Sequence, residues 1–133
     1  MSNIPEGAAM TPQKILLIDD DPSVTRLLKA KLESLGITTE ATNEPDQAPG
    51  LVRRFKPDLI VCDIDMGDAA GGGEVAQELD GDWRTAGIPI VFLSSMVMPE
   101  DMGHKQGGRK LISKQISMAA ILERIVAELP PRK

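Results

Sequence analysis

Five polar residues of this chain have side-chain types that could do chemistry together. Three are carboxylates, one is a hydroxyl and one is an ammonium group, and each follows a short apolar run. Such runs are typical of buried strands in a parallel sheet, where ligands bind beyond the carboxyl ends of the strands. If the strands are neighbours, the five side chains share one cleft. They are Asp19, Asp20, Asp63, Ser94 and Lys114.

A cluster of three carboxylates requires a cation. Two unit charges about 4 Å apart repel by roughly 4 kcal/mol at an effective dielectric near 20. The available ligands are oxygen atoms, and a few carboxylates with water suit Mg²⁺ better than Ca²⁺. A metal beside a carboxylate, a hydroxyl and a lysine is typical of phosphoryl transfer, with Asp63 as the nucleophile that becomes an aspartyl phosphate. The plainer alternative is that Asp63 caps the next helix or begins a turn.

Hydrophobic periodicity predicts the elements that must position these residues. Strands are predicted at residues 15–18, 37–42, 59–62, 88–93 and 111–113. Helices are predicted from residue 22 up to Gly36 and over 43–55, 74–79, 100–105 and 118–129. In the second helix, Pro49 and Gly50 disturb the start and leave 51–55 as the firm part. A glycine-rich loop is predicted over 68–73. Strands that alternate with helices predict an α/β fold, a doubly wound parallel sheet with helices on both faces.

The composition indicates one globular domain and excludes several kinds of site. The length of 133 residues is typical of a single domain. The net charge of −5 opposes non-specific binding to nucleic acid or to an anionic membrane. Cys62 is the only cysteine, which excludes an intramolecular disulfide and a CxxC site. With no long apolar run and no leader pattern, we expect a cytoplasmic protein. We expect 1–13 to be a flexible tail, 14–129 the domain, and 130–133 a tail or the start of a linker.

Four motifs, in order, resemble those of response regulator receiver domains. The segment ILLIDDDP resembles the family's first strand and acidic pair, and PDLIVCDIDM resembles its phosphoacceptor strand. The segments IPIVFLSS and GGRKLISK resemble its hydroxyl and lysine strands. The resemblance covers about residues 14 to 129. It implies the CheY-like, flavodoxin-like fold, with five parallel strands in the order 2-1-3-4-5.

The resemblance implies a role for each polar residue. Asp63 would accept a phosphoryl group from a histidine kinase or a histidine phosphotransfer protein and lose it by slow hydrolysis. Ser94 and Lys114 would contact that group. The implied Mg²⁺ ligands are Asp19, Asp20, Asp63 and the backbone carbonyl of Asp65.

The implied protein is a signalling domain that switches its contacts with a downstream protein, not an enzyme, and it binds neither nucleic acid nor membrane itself. Because Asp21 extends the acidic pair to three residues, a shift of the metal ligands by one position is an alternative. The alternation of side chains along the strand and the position of Pro22 favour Asp19 and Asp20 as the metal ligands.

Several positions depart from the family pattern. Gln115 replaces the usual proline, and because a non-proline cis bond costs about 2.5–4 kcal/mol, we expect a trans peptide after Lys114. Leu111 replaces the aromatic residue that usually switches rotamer, and Gly67 replaces a common proline. The segment from Ser94 to Lys114 is short, which predicts a short or irregular fourth helix. We therefore predict intact phosphorylation chemistry and altered signal transmission.

Two other functions are open on the sequence. A receiver-like interaction module that does not switch on phosphorylation is favoured by Gln115 and Leu111 and opposed by the complete set of acids. The segment DIDMG also resembles the DxDx motif of haloacid-dehalogenase-type phosphatases, with Asp65 as the acid/base. In those enzymes a further acidic pair follows the lysine, whereas here the pair precedes Asp63. In a receiver, Asp65 would be a loop residue whose charge adjusts how water reaches the phosphoryl group.

Overall fold

The structure, a computed structural model, describes residues 12–65, 72–101, 105–106 and 109–131. Residues 1–11 of the predicted tail, Gly67, and residues 68–71 of the predicted glycine-rich loop lie outside this range. Within it, a parallel sheet is covered by four α-helices. No helix in the described part of the chain is both long and apolar enough to span a membrane.

The strands run side by side in the order β2-β1-β3-β4-β6-β5. They are β1 (Lys14–Ile18), β2 (Thr38–Thr42), β3 (Leu59–Asp63), β4 (Ile90–Ser94), β5 (Lys105–Gln106) and β6 (Arg109–Ser113). All neighbouring pairs are parallel except β5 with β6, which is antiparallel. The predicted order of the five parallel strands is therefore confirmed, with β6 as the fifth. Strand β5 was not predicted.

Alternate strand residues enter two apolar clusters, one on each face of the sheet. The helices that cover the sheet are α1 (Pro22–Ser34), α2 (Ala48–Phe55), α3 (Gly72–Asp80) and α4 (Met118–Ala127). The first cluster joins Leu16, Ile18, Ile60, Cys62 and Phe92 to Val52 of α2 and Leu79 of α3. The second joins Ile15, Leu17, Val61 and Leu93 to Leu28 and Leu32 of α1 and Ile121 and Ile125 of α4. Helices thus lie on both faces, as predicted.

Helix α1 follows β1 directly because its first turn is well capped. The side chain of Asp21 accepts a hydrogen bond of 2.9 Å from the backbone N–H of Ser23, and Pro22 is the first helical residue. Gly36 follows the helix with φ +83°, a left-handed conformation that favours glycine. The chain can therefore turn from α1 into β2 within a few residues.

Helices α2 and α3 begin at different residues from those predicted. A 3₁₀ turn at Pro45–Gln47 precedes α2, which starts at Ala48 and holds Pro49 in its first turn. A proline there loses no helical hydrogen bond, because first-turn N–H groups have no partner within the helix. Helix α3 starts at Gly72, two residues before the predicted start, so the end of the predicted loop is helical.

The described residues between β4 and β6 confirm a short, irregular fourth helix, but their bounds differ from the predicted 100–105. The described residues there form a 3₁₀ turn, Pro99–Asp101, and Lys105 begins strand β5. Because glycine is a poor helix former, Gly103 and Gly107 in the sequence of this segment disfavour a longer helix. The fourth helix of the family pattern is thus reduced, in the described part of the segment, to a single irregular turn.

Candidate functional site

The predicted site residues lie together at the carboxyl ends of the parallel strands. Asp19 follows β1, Asp63 ends β3, Ser94 ends β4, and Lys114 follows β6. Strand register sets their heights, since Ser94 pairs with Ser113 and the backbone N–H of Lys114 donates to the Ser94 carbonyl at 2.9 Å. The cleft predicted from the four strand ends is present.

Three carboxylates converge at the centre of this cleft. One carboxylate oxygen each of Asp19, Asp20 and Asp63 lies within 4.8 Å of the others. Asp19 and Asp63 are buried, whereas Asp20 is exposed. Carboxylate oxygens at this spacing fit a hard divalent cation, which completes its coordination with water on the open side. The donor set therefore fits Mg²⁺.

Lys114 compensates the charge of the two buried carboxylates. Its Nζ donates a hydrogen bond of 2.7 Å to Oδ2 of Asp19 and lies 3.3 Å from Oδ2 of Asp63. Burial raises the pKa of Asp19, and the hydrogen bond from Lys114 opposes this rise without cancelling it. Burial lowers the pKa of Lys114, but its hydrogen bond to Asp19 and the charges of both carboxylates outweigh burial and raise it. Lys114 is therefore an ammonium ion at neutral pH.

Backbone and amide groups hold Asp19 in place. The backbone N–H of Asp21 donates to Oδ1 of Asp19 at 3.0 Å. Asn43, just after β2, donates from Nδ2 to the carbonyl of Asp19 at 2.7 Å and to Oγ1 of Thr25 at 3.1 Å. Sequence analysis missed Asn43, although its place at the end of a strand next to β1 is a signal that could have found it.

Asp65 makes side-chain contacts that sequence analysis did not predict. Its backbone N–H donates to Oδ1 of Asp63 at 2.9 Å. Its Oδ2 accepts hydrogen bonds from the Ser94 hydroxyl at 2.7 Å and from the Ser95 N–H at 3.0 Å. The Ser94 hydroxyl oxygen in turn accepts from the N–H of Met96 at 3.0 Å. The predicted hydroxyl residue is thus held by Asp65.

Gln115 ties the loop after β6 to the loop after β4. The described residues contain no cis peptide bond, so the Lys114–Gln115 peptide is trans, as expected. The backbone N–H of Gln115 donates to the Ser113 hydroxyl at 3.0 Å, and its side-chain amide donates to the Ser95 carbonyl at 2.8 Å. Ser113 donates to the carbonyl of Val97 at 2.6 Å. These bonds connect the two loops without a proline.

Leu111, at the position of the family's aromatic switch residue, lies in the core. It pairs with Phe92 of β4 and belongs to the apolar cluster under α2 and α3. Only 9% of its surface is exposed. It therefore fills the core as an aliphatic residue and has no aromatic ring to exchange between buried and exposed positions.

Comparison with known proteins identifies the family. The family model of the response regulator receiver domain matches residues 15–126 of the sequence. This chain belongs to the response regulator receiver family. It is 31% identical over 118 residues to the DNA-binding dual master transcriptional regulator RpaA of Synechocystis. The aligned region covers 87% of this chain and 48% of RpaA. It is also 29% identical over 118 residues to Protein PilH of Pseudomonas aeruginosa. That aligned region covers 87% of this chain and 97% of PilH.

A solved structure of this family has the same fold. The BeF3-activated N-terminal receiver domain of Klebsiella pneumoniae RstA superposes with a TM-score of 0.72 at 30% identity. The match covers 90% of this receiver and all of that chain (100%). This receiver spans about half the length of RpaA and almost all of PilH. The chain is thus a receiver domain of two-component signalling, and the family match speaks against the phosphatase alternative.

Proposed function

We propose that this receiver accepts a phosphoryl group on Asp63 from a phosphohistidine of a histidine kinase or a histidine phosphotransfer protein, in an Mg²⁺-dependent reaction. The observation that supports this most directly is the convergence of Asp19, Asp20 and Lys114 on the Asp63 carboxylate. An Asp63 oxygen forms a bond to phosphorus while the bond from phosphorus to the donor's imidazole nitrogen breaks. The electron pair stays on that nitrogen.

In this proposal Mg²⁺ is held by the carboxylates of Asp19, Asp20 and Asp63 and by the backbone carbonyl of Asp65. When bound, it supplies positive charge for the phosphoryl oxygens. The Asp65 N–H orients the Asp63 carboxylate by its bond to Oδ1 and leaves Oδ2 facing Lys114. The ammonium group of Lys114 and the hydroxyl of Ser94 then donate hydrogen bonds to the transferred group.

The modification reverses by hydrolysis. A water oxygen attacks phosphorus, the bond from phosphorus to the Asp63 oxygen breaks, and inorganic phosphate leaves with the carboxylate restored. Such a slow, self-assisted cycle suits a signalling domain rather than an enzyme with a separate substrate. The proposed output is a change in contacts with a downstream protein.

The proposal also covers the bounds of the domain and its location in the cell. Residues 14–129 form the receiver, and it acts in the cytoplasm, where kinases make phosphohistidine from ATP. The net charge of −5 favours protein partners over direct contact with nucleic acid. It likewise opposes binding to an anionic membrane.

The test is phosphorylation by a small acyl phosphate, measured as the intact mass with Mg²⁺ or with EDTA. We expect one phosphoryl group, only with Mg²⁺, and none in Asp63→Asn. Asp46→Asn is the matched control, because Asp46 is an exposed carboxylate in the turn before α2. Modification that persists in Asp63→Asn, or that needs no Mg²⁺, would contradict the proposal.

A receiver-like module that does not switch is the second candidate, favoured by the buried Leu111 and by the bond of Gln115 to Ser95. Beryllofluoride, a mimic of the aspartyl phosphate, separates the two when amide NMR shifts are compared in wild type and Asp63→Asn. Shifts that reach Leu111 and α4 support switching. Shifts confined to the cleft support the non-switching module.

A further inference from the structure

The carboxylate of Asp65 makes two hydrogen bonds that the proposed reaction has to rearrange. Its Oδ2 accepts from the Ser94 hydroxyl at 2.7 Å and from the Ser95 N–H at 3.0 Å. Ser94 ends β4 and Ser95 begins the loop that follows it, next to the cleft that holds Asp63. Asp65 therefore fixes this loop in the structure described above.

A serine hydroxyl has one proton to donate. The Ser94 hydroxyl gives that proton to Asp65, and its oxygen already accepts from the N–H of Met96 at 3.0 Å. Ser94 is 1% exposed, so solvent does not supply a substitute partner. A hydrogen bond from Ser94 to a phosphoryl oxygen on Asp63 consequently requires that the bond to Asp65 break.

The two ends of this bond differ in what they lose when it breaks. Asp65 is exposed, so its carboxylate is hydrated once released. Ser94 is buried and exchanges one anionic acceptor for another. Gln115 donates to the Ser95 carbonyl at 2.8 Å, so the loop stays attached to the β6 side when Asp65 is released.

We propose that Asp65 is a positioning residue that competes with the phosphoryl group on Asp63 for the Ser94 hydroxyl, and so holds the receiver in its unphosphorylated conformation. This inference rests on the proposed function, because it requires a phosphoryl group on Asp63. It gives the Asp65 side chain a role separate from that of its backbone carbonyl.

The test is a double-mutant cycle on Mg²⁺-dependent beryllofluoride affinity, measured at saturating Mg²⁺. The proteins are wild type, Asp65→Ala, Ser94→Ala and the double variant. Asp65→Ala frees the Ser94 hydroxyl, so we expect affinity to rise roughly 3- to 10-fold, the equivalent of one hydrogen bond. In the Ser94→Ala background the same substitution has no hydroxyl to free, so we expect a smaller rise.

Asp65→Asn separates the hydrogen bond from the charge. The asparagine keeps an oxygen acceptor at the same place but removes the negative charge, so competition for the hydroxyl predicts an affinity between those of wild type and Asp65→Ala. Without beryllofluoride, the Ser95 amide proton resonance should shift in Asp65→Ala, which reports the loss of the ground-state bond directly.

Equal effects of Asp65→Ala in both Ser94 backgrounds, with Asp65→Asn matching Asp65→Ala, would overturn the inference, because the carboxylate would then act by charge alone. That result leaves the proposed function intact, since wild type still binds the probe. If wild type fails to bind beryllofluoride with Mg²⁺, the proposed function fails and the inference fails with it.

Discussion

Replacement of Lys114 by methionine should destabilise the receiver most strongly when Mg²⁺ is absent. The Lys114 ammonium group lies 2.7 Å from Asp19 and 3.3 Å from Asp63. Methionine keeps much of the apolar length of the side chain and removes the charge. Two buried carboxylates then share one site without compensation.

The magnitude follows from the burial of the three groups. Removal of one partner from a buried ion pair costs about 3–5 kcal/mol. The side chains of Asp19 and Asp63 are 3% and 4% exposed, but that of Lys114 is 19% exposed, so water reaches the vacated position. We therefore expect a loss at or somewhat below the lower end of that range, about 2–3 kcal/mol. Bound Mg²⁺ compensates the same carboxylates, so the loss should fall below about 1 kcal/mol at saturation.

Urea unfolding with EDTA and with Mg²⁺ measures these differences. Lys110→Met is the matched control, because Lys110 lies on β6, the strand that Lys114 follows, and pairs with Glu128 at 2.8 Å on the surface. Exposed pairs contribute about 0–1 kcal/mol, and this one should not respond to Mg²⁺. By linkage, Lys114→Met should also bind Mg²⁺ roughly tenfold more tightly than wild type does.

The dependence on pH gives a second check in Mg²⁺-free buffer. Because burial raises the pKa of Asp19, folding favours its protonated form, and this stabilisation is lost as pH rises through the pKa of the folded state. Without Lys114 to oppose it, that pKa rises further. The deficit of Lys114→Met should therefore shrink as pH falls. Equal stability of Lys114→Met and wild type in EDTA at neutral pH would refute this reasoning.

Three further predictions concern other parts of the chain. Burial raises the pKa of the Cys62 thiol to about 12, so we expect alkylation by iodoacetamide at pH 8 to proceed only through unfolding. The free energy of unfolding should fall between about pH 9 and 12, because the unfolded thiol ionises first. Rapid stoichiometric labelling of the native protein would contradict this. Thr85→Val removes a buried hydroxyl that donates to the Leu79 carbonyl at 2.6 Å and should cost about 1 kcal/mol in urea unfolding; an unchanged midpoint would mean the bond adds nothing. Gln115→Pro removes the N–H that donates to the Ser113 hydroxyl and should lower the free energy of unfolding by about 1 kcal/mol. Gln115→Ala keeps that N–H and should cost less. A larger loss in Gln115→Ala than in Gln115→Pro would argue against a role for this bond.

The strands and the place of the cleft were predictable because they depend on simple patterns, whereas the order of the strands was implied by the resemblance to receiver domains. A short apolar run that ends in a polar residue marks a buried parallel strand and its carboxyl end. Four such strands bring Asp19, Asp63, Ser94 and Lys114 to one edge whatever the details of the loops. Strand β5 was not predictable, because a Lys–Gln pair has no strand pattern and pairs only through its position beside β6.

The side chain of Asp65 shows where prediction from the sequence ends. The motif placed its backbone near the proposed metal, but its bond to Ser94 depends on how the loops after β3 and β4 approach each other in space. Residue spacing does not determine that approach. Asn43 was missed although its place at the end of β2 is a usable signal, because its bond to the Asp19 carbonyl joins segments 24 residues apart in sequence and no motif marks it.

Strand β1 lies between β2 and β3, so both of its partners are synthesised after it. Ile15 pairs with Leu59, which lies 44 residues further along the chain. At ribosomal rates of roughly 5–20 residues per second, β3 follows β1 by about 2–9 seconds. During that interval only β2 can pair with β1, and the other edge of this apolar strand presents unpaired backbone groups. We expect nascent chains arrested before β3 emerges to aggregate or to require a chaperone, and chains arrested after β4 to be protected.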